Sequence, residues 1–365
     1  MEDEFYSAVF VKKFSPAYPY SKLAIQIRFI HVLFMRLLSI CGSFLALFAL
    51  TGIASAAEST NAAMAALPTF KLHGVVLKAE DLKYRPHNDV IHPSVLPIGR
   101  HLTNALGKFY MYYAPHDAPG GICVAFADKP EGPWGEYTNN PVISRDWAPH
   151  YKVSHVSAPE AIWNEEERKV FLYFHGENNV QRLASSEDGI YFKYERAVLT
   201  SNMVEEGVRE VAYGRVFRHT LPGKDNRYIQ FFLGNRRGTR LVYLAWSKNG
   251  REWQTRKTPV LNLAPGTTQI ANAIYFPWKG RHYLIFHGHS NATNLNIDVD
   301  FYAAETDPAF ERITHLGKFM DRRFVSPDNP ALMAPFILEE GGKYYLYFNI
   351  GKRLNNQIAL AIATP

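Results

Sequence analysis

One short pattern recurs five times along the chain: a basic residue followed by five aromatic or aliphatic residues. The copies begin at Lys108 (FYMYY), Lys169 (VFLYF), Arg227 (YIQFF), Arg281 (HYLIF) and Lys343 (YYLYF), and they align without gaps. Their last residues, Tyr113, Phe174, Phe232, Phe286 and Phe348, lie 61, 58, 54 and 62 residues apart. Regular spacing of this size marks an array of similar supersecondary units, and one four-stranded propeller blade needs about this much chain. The runs are apolar on both faces, as strands sandwiched between neighbouring blades must be. The high aromatic share, 14%, suits such strands.

Each run follows a shorter apolar strand read as the innermost of its blade: 94–96, 161–163, 215–217, 273–275 and 335–337. Third strands are expected over 121–127, 181–185, 241–246, 301–305 and 357–363. Two connections onward to the fourth strand, 186–192 and 247–253, carry Asp-Gly and Asn-Gly, which favour tight hairpins because both residues tolerate positive φ. The fifth unit stops after three strands at Pro365. Residues 70–77 (FKLHGVVL) are therefore expected to supply its fourth strand and close the ring, which removes both open sheet edges. The fold class is all-β, a five-bladed propeller over 70–365 closed by an N-terminal strand.

The segment before the propeller has a different character. Residues 35–57 begin with Met35 and Arg36, continue in an apolar stretch and end near Ala54-Ser55-Ala56, the small-x-small form of a signal-peptidase site. We read 35–57 as a signal peptide, 1–34 as a non-native or extended N-terminus, and 58–69 as a linker; the rival reading is a cytoplasmic extension followed by a membrane anchor, since the apolar stretch is near the lower limit for spanning. The expected location is secreted or periplasmic, with no stable membrane insertion after cleavage. Of the two cysteines, Cys41 lies in the leader, so the mature chain keeps only Cys123, a small buried strand residue, and has no internal disulfide or cysteine-based metal site. The formal net charge is +6, but basic residues after position 57 are scattered and form no run, which argues against a nucleic-acid partner.

These features resemble the five-bladed glycosidase clan, above all glycoside hydrolase family 43. The likeness covers about residues 70–365. It rests on His92-Pro93-Ser94-Val95, where the family usually has Asp-Pro-Ser-Ile, on the strand 107–113, on Ser157-Ala158-Pro159-Glu160, where the family has Trp-Ala-Pro-Asp or Trp-Ala-Pro-Glu, and on Lys129 to Trp134. The resemblance implies hydrolysis of glycosidic bonds in oligo- or polysaccharides with inversion, by an exo-acting enzyme of the arabinofuranosidase, xylosidase or galactosidase type. One carboxylate activates water, a carboxylic acid protonates the leaving oxygen, and a third acidic residue tunes the acid.

Where the family's base falls, this chain has His92, and Asp89 is the nearest carboxylate. Asp89 is expected as general base, Glu160 as acid or acid-tuning residue, and Glu210 as acid. His92, His155, Arg215, Gln269, Asn272, His287, Asp328 and Asn329 are expected to line the cleft and bind substrate. Histidine can serve as the acid in the anhydro-galactosidase relatives, which keeps His92 and His155 as acid candidates. No cofactor is expected, and no metal, apart from a structural cation on the propeller axis near His287. Two other readings stand beside hydrolysis: a non-catalytic carbohydrate-binding propeller, and a transferase on the same fold. The leader makes the first testable claim. Mass spectrometry of the mature protein is expected to find an N-terminus near Ala57 or Glu58, and an intact Met1 overturns cleavage.

Overall fold

The computed structural model describes residues 60–365. The sequence readings of 1–34, 35–57 and Cys41 lie outside the described residues. Five antiparallel four-stranded sheets follow one another along the chain. Blade one comprises Ile91–Leu96, Phe109–Ala114, Cys123–Ala127 and Gly135–Glu136. Blade two comprises Ser157–Asn164, Lys169–Gly176, Val180–Ser186 and Lys193–Thr200. Blade three comprises Val208–Arg218, Tyr228–Arg236, Thr239–Ser247 and Trp253–Thr255. Blade four comprises Gln269–Trp278, Arg281–His289, Val299–Thr306 and Ile313–Met320. In blade five, Leu332–Glu340, Lys343–Lys352 and Asn355–Ala363 are completed by Lys71–Leu77, which pairs antiparallel with the C-terminal strand (Lys71 with Ile362, Val75 with Ala359). The five-bladed ring and its N-terminal closure are thus as expected.

Residues 60–66, inside the stretch read as a linker, are helical instead. Ala63, Leu67 and Phe70 are buried against blade four. The Trp278 indole N–H donates to the Ala66 carbonyl at 2.7 Å, and the Tyr283 hydroxyl donates to the Ala63 carbonyl at 3.1 Å. Small residues that look unstructured in sequence allow this helix to lie close to the blade.

The aromatic runs form the second strand of every blade, and the hydrophobic core lies between blades. One cluster joins Val95, Met111, Tyr113 and the buried Cys123 of blade one to Leu338, Tyr347 and Leu360 of blade five. Tyrosine at the fourth position of three runs has a further role. Tyr112 donates its hydroxyl to Gly189 O of blade two (2.8 Å), Tyr173 to Gly250 O of blade three (2.7 Å), and Tyr347 to Pro130 O of blade one (2.6 Å). Each ring is buried and each hydroxyl finds the connection to the outermost strand of the next blade, so the repeated tyrosine latches adjacent blades. Gly189 and Gly250 both adopt φ +77, and a Cβ at either would meet the latching hydroxyl at under 3.0 Å.

Every inner strand also breaks its ladder at one matching position. The irregularities fall between Ile91 and Ser94, Ser157 and Glu160, Ala212 and Arg215, Ala271 and Ile274, and Met333 and Phe336. The first residue within each break is left-handed: His92 (φ 56), Ala158 (φ 50), Tyr213 (φ 53), Asn272 (φ 50) and Ala334 (φ 50). The next residue is Pro93, Pro159, Gly214, Ala273 or Pro335; proline is tolerated there because a bulge frees it from donating to the ladder.

The latches predict a specific loss. Tyr173→Phe removes one donor and leaves the buried Gly250 carbonyl without it, which is expected to destabilise by about 1 kcal/mol. Gly250→Ala adds both a strained φ and a clash and is expected to cost more. Urea denaturation followed by tryptophan fluorescence checks the order, and a Tyr173→Phe midpoint equal to wild type overturns the latch.

Candidate active site

The five bulges set two layers along the axis. The residues that follow them meet in the centre. Arg215 Nη1 donates to Glu160 Oε2 at 2.8 Å and to Pro93 O at 3.2 Å, while Nη2 donates to Ala334 O at 3.4 Å. The guanidinium also lies over the Phe336 ring, 5.5 Å from its centroid. Glu160 Oε1 accepts the Val216 N–H at 3.3 Å, and Ser94 Oγ accepts the Ala161 N–H at 2.9 Å. These contacts join blades one, two, three and five through one side chain, which requires Arg215 to sit on the axis. Blade four joins through His287, whose Nδ1 accepts the Ala334 N–H at 3.2 Å.

The second layer lies at the N-terminal ends of the inner strands. There a cavity of about 360 Å³ is lined by residues of all five blades, within the range of small-molecule sites. Three bulge residues face it: His92, Tyr213 and Asn272. His92 and Tyr213 are in ring contact, with centroids 4.9 Å apart. Asp89, His116, His287, His289, Arg240 and Arg353 complete its polar wall with the amides of Asn178, Asn296, Asn349 and Asn356.

Asp89 is the carboxyl of this wall. Its Oδ1 accepts the Asn356 N–H at 3.0 Å and the Asn356 Nδ2 at 2.8 Å. Burial raises its pKa above the ordinary aspartate value, and the Asn356 bonds offset only part of that rise. His116 pairs through Nδ1 with Asp117 Oδ1 at 2.7 Å, and Arg353 holds both oxygens of Asp117 at 2.8 and 2.7 Å. His92 and His287 are pushed well below the usual histidine pKa by burial, and His289 is pushed down to about 4 by burial and the Arg240 charge. Among the described residues, four buried polar atoms on the wall have no partner: His92 Nδ1, Asn272 Oδ1, His289 Nδ1 and Asn356 Oδ1.

Of the residues expected from sequence, the cavity gathers Asp89, His92, Asn272 and His287. The others lie elsewhere. Glu160 and Arg215 form the axial ion pair, 4% and 3% exposed, and do not line the cavity. Burial raises the Glu160 pKa and the Arg215 charge opposes the rise. Glu210 is held behind Arg240, with Oε2 3.3 Å from Arg240 Nε and Oε1 accepting Asn235 Nδ2 at 3.2 Å. The three expected carboxylates therefore do not converge, because blade two's carboxylate is used to neutralise the axial arginine. His155 stands one ring behind the wall, stacked on His116 with centroids 5.1 Å apart and bonded to Asn178 Oδ1 at 3.3 Å. Gln269 binds backbone instead of facing the cavity: its Oε1 accepts the Arg240 N–H at 2.6 Å and its Nε2 donates to Gly238 O at 2.9 Å. Asn329 ties its loop to Arg322 O, Ala331 O and the Gly351 N–H, and Asp328 is exposed in the same turn. Among the described residues no set of three His, Cys, Asp or Glu side chains is arranged to hold a metal ion.

Tyr213, His116, Arg240 and Arg353 are not among the sequence candidates. A usable signal exists for Tyr213 in the repeat itself. Tyr213-Gly214-Arg215 occupies the same bulge register as His92-Pro93-Ser94 and Ala158-Pro159-Glu160.

No family model matches the chain, and no curated protein matches it. Solved structures do share its fold. The BT0996 RGII complex superposes with a TM-score of 0.62 at 13% identity, covering 85% of this chain and 96% of the matched one. The α-L-arabinofuranosidase PaAbf62A from Podospora anserina, solved with cellotriose, gives 0.58 at 10% identity over 82% and 97%. The catalytic domain of the Coprinopsis cinerea GH62 α-L-arabinofuranosidase gives 0.57 at 10% over 82% and 98%. The chain is thus a five-bladed propeller of the kind found in glycoside hydrolases.

The buried histidines predict an acid-sensitive fold. In the unfolded chain each binds a proton near pH 6.5. In the folded protein His92, His175, His287 and His289 resist protonation to lower pH. The unfolded state then binds more protons, so stability is complete above about pH 6.5 and declines as pH falls towards the folded values. Asp89 and Glu160, whose pKa values are raised, oppose this trend as pH falls through their raised folded values. Urea midpoints are expected to fall steadily from pH 7.5 to pH 5, less so in His289→Gln, and a flat profile overturns the assignment.

Proposed function

We propose that the protein is a glycoside hydrolase that takes a sugar unit into the axial cavity, and that it acts outside the cytoplasm on oligo- or polysaccharide. The observation that carries this reading is the set of four buried, internally unpartnered polar atoms on the cavity wall beside Asp89. Leaving a buried polar atom unbonded costs about 1–3 kcal/mol. A sugar ring carries hydroxyls that both donate and accept, and so can satisfy imidazole nitrogens and amide oxygens together. The fold shared with arabinofuranosidases supports the same reading.

Within it, Asp89 acts as general base on the attacking water. A carboxylate whose pKa is raised by burial is a stronger base when ionised, and Asn356 fixes its orientation. His92 has the opposite problem: burial keeps its ring neutral, which suits hydrogen bonding to a hydroxyl rather than donation of a full proton. His116 is our candidate for the acid. Asp117 orients its ring through the Nδ1 contact at 2.7 Å, and the ring lines the same cavity as Asp89. The bond from anomeric carbon to leaving oxygen breaks as water adds, with the water's proton passing to Asp89 and the His116 proton to the leaving oxygen.

A non-catalytic sugar-binding propeller is the second reading. It is favoured by the placement of Glu160 and Glu210 off the cavity wall, which leaves Asp89 as its carboxyl. A panel of aryl glycosides and plant oligosaccharides separates the two. Asp89→Asn and His116→Gln are each expected to lower kcat by about 100-fold or more while product binding changes only a few-fold. Sugar binding by wild type with no turnover on any member supports the binding module, and full turnover by Asp89→Asn overturns the base.

A further inference from the structure

We propose that the sugar unit bound in the cavity is acidic, carrying a carboxylate or a sulfate ester that Arg240 receives. This rests on the sugar-site reading above and deepens it. Arg240 lines the cavity, whereas its ion-pair partner Glu210 does not. Glu210 Oε2 lies 3.3 Å from Nε, and neither terminal nitrogen makes a hydrogen bond among the described residues. The arginine is also held from its own backbone. Its N–H donates to Gln269 Oε1 at 2.6 Å, and Gln269 is anchored in turn on Gly238 O at 2.9 Å. An arginine on the cavity wall, with its backbone anchored, an acidic partner beside Nε and its terminal nitrogens without hydrogen bonds, suits bidentate binding of a planar anion.

The surroundings reinforce the sign. Arg353 adds a second guanidinium to the same wall, and its partner Asp117 is likewise off the wall. Asp89 is the one carboxyl that faces them, and both its bonds to Asn356 fall on a single oxygen, which keeps the group fixed in place. The Arg240 charge is felt across blades two, three and four, at His175, Tyr213, His287 and His289. A neutral sugar would leave that charge with only Glu210 to answer it.

Isothermal titration tests the inference with matched sugars: galacturonic acid against galactose, glucuronic acid against glucose, and galactose 6-sulfate as the second anion. At low salt the acidic member of a pair is expected to bind about 10- to 100-fold more tightly. The preference should shrink as sodium chloride is raised from 20 to 500 mM. Arg240→Gln should abolish the preference for the acidic member, and Arg240→Lys should restore part of it without the bidentate geometry. Thermal melts confirm that both variants are folded. A stronger response to galactose 6-sulfate than to either uronate assigns the anion as sulfate, and the reverse assigns it as carboxylate. Neutral sugars binding as well as their acidic partners overturn the inference but leave the sugar site intact. No binding of any sugar, neutral or acidic, overturns both.

Discussion

A single backbone device, repeated in every blade, organises this molecule. Each inner strand carries a bulge whose first residue is left-handed, at His92, Ala158, Tyr213, Asn272 and Ala334. For a non-glycine residue that conformation costs about 1–2 kcal/mol relative to the right-handed form, so five in register must be supported by what they allow. They allow the strands to bend at the axis. The residues after the bulge then meet in the central knot, while three of the left-handed residues turn out of the ladder into the cavity. Scaffold and site are two consequences of one irregularity.

The knot explains why the catalytic expectation and the structure part company. Arg215 bonds to blades one, two and five from its place on blade three, and a buried guanidinium must be neutralised. Glu160 does this, at 2.8 Å, with both oxygens engaged. A carboxylate in that position on the sequence looks available for chemistry because its neighbours are apolar. Its partner is 55 residues away in the chain, and nothing local announces it. The same holds for Glu210, whose distance from the cavity depends on Arg240 standing between them.

Elements whose cause is local were legible. The aromatic runs, the Asp-Gly and Asn-Gly hairpins and the closing strand at 71–77 depend on composition and spacing that repeat within the chain. The helix at 60–66 was not, because its stability comes from Trp278 and Tyr283, which bind its carbonyls from blade four. Four residues of the cavity wall, Asp89, His92, Asn272 and His287, were legible from their positions in the repeat. His287 was found because it directly follows an aromatic run, and Asn349 holds the same register in blade five; both pair with the residue just before a bulge. Extending that register to all blades would have reached Asn349, and aligning the bulges would have reached Tyr213. Arg240 and Arg353 sit in hairpins beyond the repeat, where no periodicity marks them.

The cavity also lies across the seam where the ring closes, and this links the site to folding. Asp89 is fixed by Asn356, 267 residues later, and the His92 N–H donates to Asn349 Oδ1 at 2.9 Å, 257 residues later. Asn349 Nδ2 donates back to Val90 O at 2.9 Å, so the lead-in to blade one is stitched to blade five on both sides of its inner strand's start. These bonds form only when the first and last blades meet, the same event that docks Lys71–Leu77 on the C-terminal strand. Contacts of such high sequence separation are the slowest to assemble. A partly closed ring would therefore have most of its aromatic core in place and no oriented Asp89. The polar residues at the seam thus couple the chemistry of the mouth to completion of the fold, a dependence that a site built within one blade would not have.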